Sequence, residues 1–109
     1  MWYTDGHSRF FKKGTGKEDY IMKILETTSA PGAIGPYSQG YEANGFVFTS
    51  GQIPVDPATG TIPEGIAAQA AQSCKNVGAI LESAGVDYSK VVKTTCFLAD
   101  MGDFAAFNE

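Results

Sequence analysis

Histidine is nearly absent from this sequence, which has only His7, and cysteine is scarce, with only Cys74 and Cys96. His7 sits in a polar leader, so histidine-based triads and multi-histidine metal sites are excluded. The two cysteines are spaced unlike any zinc or redox motif, and both are expected to be buried small hydrophobes in a reducing compartment. Basic charge is also in short supply. Eight Lys and Arg face twelve Asp and Glu, for a net charge of −4 and a pI near 4.8. The basic residues are scattered apart from Lys12-Lys13, whereas affinity for phosphate backbones needs clustered Lys and Arg, so nucleic acid is not an expected partner. No run approaches the roughly 20 apolar residues of a membrane helix, and no apolar signal region follows the start. The expectation is a soluble, cytoplasmic protein. Gly-x-Ser-x-Gly, a phosphate-binding glycine loop, paired histidines and Cys-x-x-Cys are all missing, so any catalysis must work through water and hydrogen bonds, without a metal.

What is present suffices for one core. In 109 residues, 43% are hydrophobic and 18% charged, enough apolar material for one compact domain and too little for two. A small domain with an uncovered sheet face tends to assemble with copies of itself. Residues Met1 to Ile21 show neither helical nor strand periodicity, and a clean pattern begins at Met22. Lys17-Glu18-Asp19 can be encoded as AAG-GAG-GAY, which contains a bacterial ribosome-binding sequence at the usual distance before Met22. The segment 1–21 is therefore expected to be a non-native or disordered leader, and 22–109 the domain.

Within the domain the pattern predicts strands at Lys23 to Glu26, Ser38 to Ala43 and Phe46 to Ser50, the last two joined by an Asn44-Gly45 turn that tolerates positive φ. Val55 to Thr61 reads as an ordered turn. Ile66 to Ala84 reads as a helix with Ile66, Ala70, Cys74, Val77, Leu81 and Ala84 on its apolar stripe, opposite Gln69, Gln72, Lys75, Asn76 and Glu82, and Gly85 as its stop. Val91 to Leu98 is β-branched and aromatic, which predicts a further strand, and Asp100 suits the N-cap of a second helix. A strand, helix, strand succession is a βαβ crossover, so the expected class is α/β (α+β), a mixed sheet with helices on one face.

Two places could carry chemistry. Tyr37 is held between Pro36 and Gly40, and at Ser50-Gly51 a strand ends in a glycine turn whose amides could face a carboxylate or an oxyanion. By themselves these residues read better as a half-buried aromatic with a backbone partner and a simple strand terminator, since most such loops are structural. Asn108 reads as an ordinary helix-face amide.

The run Ala30-Pro31-Gly32-Ala33-Ile34-Gly35-Pro36-Tyr37-Ser38-Gln39-Gly40, followed by Ser50-Gly51-Gln52-Ile53-Pro54, Gln69-Ala70 to Asn76-Val77, Lys93-Thr94-Thr95 and Asp103-Phe104, closely resembles the RidA/YjgF family of reactive-intermediate deaminases. These proteins are also called translation-initiation-inhibitor-like or perchloric-acid-soluble proteins. The resemblance spans Met22 to Glu109. It implies a chorismate-mutase-like fold, a homotrimer with pockets between subunits, and hydrolysis of enamine and imine acids such as 2-aminoacrylate and 2-iminobutanoate. These acids are released by pyridoxal-phosphate-dependent dehydratases, and the products are 2-keto acids and ammonia. No cofactor is implied. Carried over by motif, Tyr37 lines the pocket, Ser50 and Gly51 contact the substrate carboxylate, and Asn108 matches a pocket asparagine. The family's carboxylate-binding Arg and its water-handling Glu fall beyond Glu109. The chain is thus expected to be C-terminally truncated, to stop before the last strands, and to be inactive alone. Two other readings remain: an RNA-acting translation inhibitor or endoribonuclease, and a non-catalytic ligand-binding trimer.

Overall fold

The computed structural model describes residues 2–4, 9–12 and 19–109, with side chains from Met22 onward. Five strands, β1 (Trp2–Thr4), β2 (Arg9–Lys12), β3 (Asp19–Leu25), β4 (Gly40–Ala43) and β5 (Phe46–Thr49), form one sheet in sequence order. Each neighbouring pair is antiparallel. The leader expected over 1–21 lies partly outside the described residues. Where it is described its backbone forms strands, and the boundary at Met22 falls inside β3.

The β4–β5 hairpin turns at Asn44 and Gly45, whose φ angles of 52° and 82° are the left-handed values a two-residue hairpin turn requires. This pairs Ala43 with Phe46 and fixes the register through Gly40 and Thr49. The ordered turn expected at Val55 to Thr61 is present: the Asp56 amide donates to the Thr61 carbonyl at 2.9 Å, and the Gly60 amide to the Asp56 carbonyl at 2.8 Å.

Helix α1 (Ile66–Ser83) stops as expected at Gly85. The Val86 amide donates back to the Leu81 carbonyl and the Gly85 amide to the Glu82 carbonyl, a closure that needs the left-handed φ of 79° at Gly85. Two capped 3-10 turns follow. Asp87 accepts from the Ser89 amide and hydroxyl, bonds that favour the carboxylate and hold its carboxyl below the usual range. Asp100 accepts from the Gly102 amide at 2.8 Å and leads through Met101–Asp103 into α2 (Phe104–Asn108), which is the second helix expected there.

The core lies where α1 meets the sheet. Leu25, Ala30 and Ile80 are buried together, with Val47, Ala79 and Ala84 packed around them. Because successive strand residues alternate in direction, Val47 faces α1 while Phe46 and Phe48 point the other way. Those two rings are each 60% exposed, with centroids 6.3 Å apart. The helical cover on one face and the α+β class therefore hold, and the second face is open.

Three expectations need correction. Val91 to Leu98 pairs with no described strand, so the sheet is antiparallel rather than mixed and no βαβ crossover closes. A segment with strand propensity becomes a strand only when a ladder satisfies its backbone, and no described strand lies beside this one. The buried face of α1 is also rotated from the expected stripe: Asn76, placed on the polar side, is fully buried, and Cys74 is exposed. The rotation follows from Asn76 finding hydrogen-bond partners that a cysteine cannot replace. Cys96 is exposed as well, because it lies in the unpaired segment.

Gly40 sets how closely α1 can approach. A Cβ at this position would lie 2.8 Å from the Phe48 carbonyl oxygen and 3.1 Å from Ile80 Cγ2. Gly40→Ala is therefore expected to destabilise the fold by about 1–3 kcal/mol, the usual cost of overpacking. Urea unfolding monitored by α1 circular dichroism measures it.

Candidate functional site

Residues Thr27 to Ser38 leave β3, loop away from the sheet and return into β4. Between the Glu26–Thr28 stretch and Gly32, Ala33, Tyr37, Ser38 and Gln39 lies an open cleft of about 530 Å³. Tyr37 is half exposed. Its hydroxyl accepts a long hydrogen bond of 3.4 Å from the Ile34 amide, and its own amide donates to the Gly35 carbonyl at 2.8 Å. The Pro36-Tyr37 turn is thus closed on itself, with the phenol held across the loop. Among the described residues the hydroxyl serves only as acceptor, which leaves its O–H donor uncommitted.

Ser50 directly follows β5, beside this loop. Its hydroxyl donates to the Ser38 carbonyl at 2.5 Å, and its amide donates to the Gln39 carbonyl at 2.9 Å. The two motifs singled out in the sequence, one around Tyr37 and one around Ser50, are therefore stitched together, although Ser50 does not itself line the cleft. Gly51 follows, exposed, and a Cβ there would meet nothing within 4 Å. Asn108 lies exposed near the end of α2 and does not line the cleft either.

Two residues without an assigned role in the sequence organise these loops. Gln39 and Asn76 are the buried polar side chains of the described residues, 5% and 0% exposed. The Gln39 carboxamide accepts from the Thr27 amide at 2.7 Å and donates to the carbonyls of Thr27, Ala30 and Pro31. Asn76 donates to the carbonyls of Ile53 and Val55 at 3.0 and 2.9 Å and accepts from Gln72. The available signal was an amide four residues before Ile80 on α1, and a glutamine directly before the glycine that opens β4.

Among the described residues, no group of three His, Cys, Asp or Glu could hold a metal ion, and no helix is long and apolar enough to cross a membrane. Fold and cleft together define an α+β domain whose candidate pocket is built from hydrogen-bonding loops at one end of an antiparallel hairpin. The sequence profile of the family described as Endoribonuclease L-PSP matches residues 27–109. The chain belongs to that family, which includes the RidA/YjgF proteins.

A Salmonella typhimurium protein named 2-iminobutanoate/2-iminopropanoate deaminase is 54% identical over 88 residues, 81% of this chain and 69% of its own length. A Mus musculus protein of the same name is 49% identical over 90 residues, covering 82% and 67%. Among solved structures, Escherichia coli TdcF with bound serine superposes with a TM-score of 0.77 at 52% identity, over 79% of this chain and 68% of that one.

The stitch between the two loops is testable. Ser50→Ala removes the donor to the Ser38 carbonyl and is expected to cost about 0.5–1.5 kcal/mol. Thermal unfolding measures that cost, and amide exchange should show the loosening first at residues 37–40.

Proposed function

We propose that residues 22–109 form the pocket-bearing part of an enamine/imine deaminase. The reaction adds water to the carbon of a 2-imino acid and expels ammonia, leaving a 2-keto acid. The observation that carries this reading is the coupling of the Tyr37 loop to Ser50 in a chain 49–54% identical to proteins named for this activity. A protonated imine carbon is already electrophilic. Catalysis then needs a fixed carboxylate and a positioned water, with no covalent nucleophile, metal or cofactor. Tyr37 would line the pocket and offer its hydroxyl, Ser50 and the Gly51 amide would meet the substrate carboxylate, and Asn108 would close the edge from α2. The serine held by TdcF is a substrate-sized amino acid and supports a pocket of this scale.

The assembly proposed is a homotrimer with pockets between subunits. The exposed Phe46 and Phe48 rings on the uncovered sheet face support it, since an apolar face of this kind needs a cover. A neighbouring subunit would bring its own side chains to a cleft that one chain leaves open. The proposed location is the cytoplasm. Action on RNA is the weaker reading: the net charge is −4, and no basic stripe interleaved with aromatics is available for stacking and phosphate contacts.

The arginine and glutamate that the resemblance assigns to the family's site would come from the portion of the relatives this chain does not match. The test measures keto-acid formation from freshly generated 2-aminoacrylate. It compares the chain alone with a chimera carrying the unmatched portion of the Salmonella typhimurium relative after Glu109. The chimera is expected to be active, and the chain alone slower by at least about 10²-fold, the lower bound for losing a general base. Tyr37→Ala in the chimera should raise KM. Equal inactivity of both proteins would sink the proposal.

A further inference from the structure

We infer that Gln39 and Asn76 are positioning residues for the site, two buried carboxamide staples that fix the Tyr37 loop and the Ser50–Val55 loop relative to each other. The inference rests on the reading that these loops wall the substrate pocket. Gln39 borders the cleft yet is buried, Asn76 is fully buried away from it, and each spends its donors on carbonyls of a single loop.

Within the Thr27–Tyr37 loop, Ala30 is the one side chain that joins the buried core. Residues Gly32 to Tyr37 are exposed, and Ile34 is 91% exposed. Nothing apolar holds that stretch down. The Gln39 carboxamide supplies what is missing, with bonds of 2.7, 3.0, 3.3 and 2.8 Å to Thr27 N, Thr27 O, Ala30 O and Pro31 O. These bonds pin the outgoing arm of the loop to the strand that carries its return. The backbone carbonyl of the same residue accepts from the Ser50 amide. Gln39 is thus the point where both site segments meet, through its side chain on one side and its main chain on the other.

Asn76 does the corresponding work from α1. Its two donated bonds seize Ile53 and Val55, so the segment leaving Ser50-Gly51 runs over the helix instead of swinging free. Both amides are saturated, and no buried side-chain polar atom among the described residues lacks a partner. Such networks specify a single arrangement because each alternative leaves a desolvated carbonyl. A leucine at either position would bury more apolar surface and specify less.

The experiment uses the full chain and three variants. Gln39→Met keeps side-chain length and removes the donors, Asn76→Leu does the same on α1, and Ile80→Val trims the shared core without touching either staple. Hydrogen exchange at the Thr27 and Ser50 amides, with the ring resonances of ¹³C-labelled Tyr37, reports the loops. Exchange in the middle of α1 reports the fold. In Gln39→Met, the Thr27 and Ser50 amides should exchange at least about tenfold faster relative to α1 than in Ile80→Val, with the Tyr37 resonances shifted toward free tyrosine. In Asn76→Leu the Ser50 amide should respond and the Thr27 amide should not.

Uniform acceleration in all three variants, or Tyr37 resonances unchanged in Gln39→Met, would overturn the inference. Should Gln39→Met lose α1 altogether, Gln39→Asn keeps a carboxamide one methylene short, and the same ratio of loop to helix exchange decides. Titration of the chimera described above with 2-oxobutanoate, with and without each staple substitution, separates this inference from the reading beneath it. A pocket that binds in the parent chimera and weakens about tenfold or more in both staple variants supports both. Altered loop exchange with no binding in the parent chimera upholds the staples and removes the pocket.

Discussion

Helix α1 can rest on the hairpin only because Gly40 has no side chain, and the rest of the described structure takes its position from that contact. Ile80 comes down over β4 where a Cβ would collide with it and with the Phe48 carbonyl. That approach buries Leu25, Ala30 and Ile80 in one cluster, and it brings Asn76, one turn earlier on the helix, within reach of the segment that follows β5. The residue just before Gly40 is Gln39, whose side chain points into the loop before β4. One close contact between helix and strand therefore orients both loops of the candidate site, and the buried amides on either side of it turn that orientation into specific hydrogen bonds.

The same economy leaves much of the apolar surface uncovered. A cluster of three fully buried aliphatic side chains is small for a domain, while Phe46, Phe48, Val92 and Phe97 stand at 60–92% exposure. Strand propensity without a partner strand and aromatic rings without a facing layer are the same deficit seen in backbone and in side chains. The matched relatives are longer, this chain spanning 67–69% of their length.

Much of this was legible in the sequence where the signal was local. Asn44-Gly45, Gly85 and Asp100 each demand one backbone conformation or one hydrogen bond, and each appears where expected. The signals that failed depend on partners distant in sequence. Val91 to Leu98 has the composition of a strand, but composition cannot say which edge it will join. The stripe on α1 was read by polarity, which puts asparagine outside and cysteine inside. The structure reverses them, because the carbonyls of Ile53 and Val55 arrive on that face and require donors. At the site, Tyr37 and Ser50 stood out through their turn chemistry and their resemblance to a family. Gln39 did not, since nothing nearby in sequence reveals that four backbone groups of an upstream loop converge on its carboxamide.

The chemistry proposed for this site accounts for why neutral amides suit it better than charged groups. An imino acid brings a positive charge at the imine nitrogen and a negative one at the carboxylate, and both must be oriented while water is held between them. Buried ion pairs within the loops would compete for those charges and shift with pH, because each would carry a large desolvation penalty balanced only by geometry. Carboxamides whose donors and acceptors are fully satisfied by backbone set the loop shape without projecting net charge into the cleft. In the proposed reading, the field that the substrate meets would then be left to the hydroxyl of Tyr37 and the amides near Gly51. On this reading, shape and charge would be supplied by separate groups: the buried carboxamides would set the loops, and the exposed hydroxyl and amides would meet the substrate.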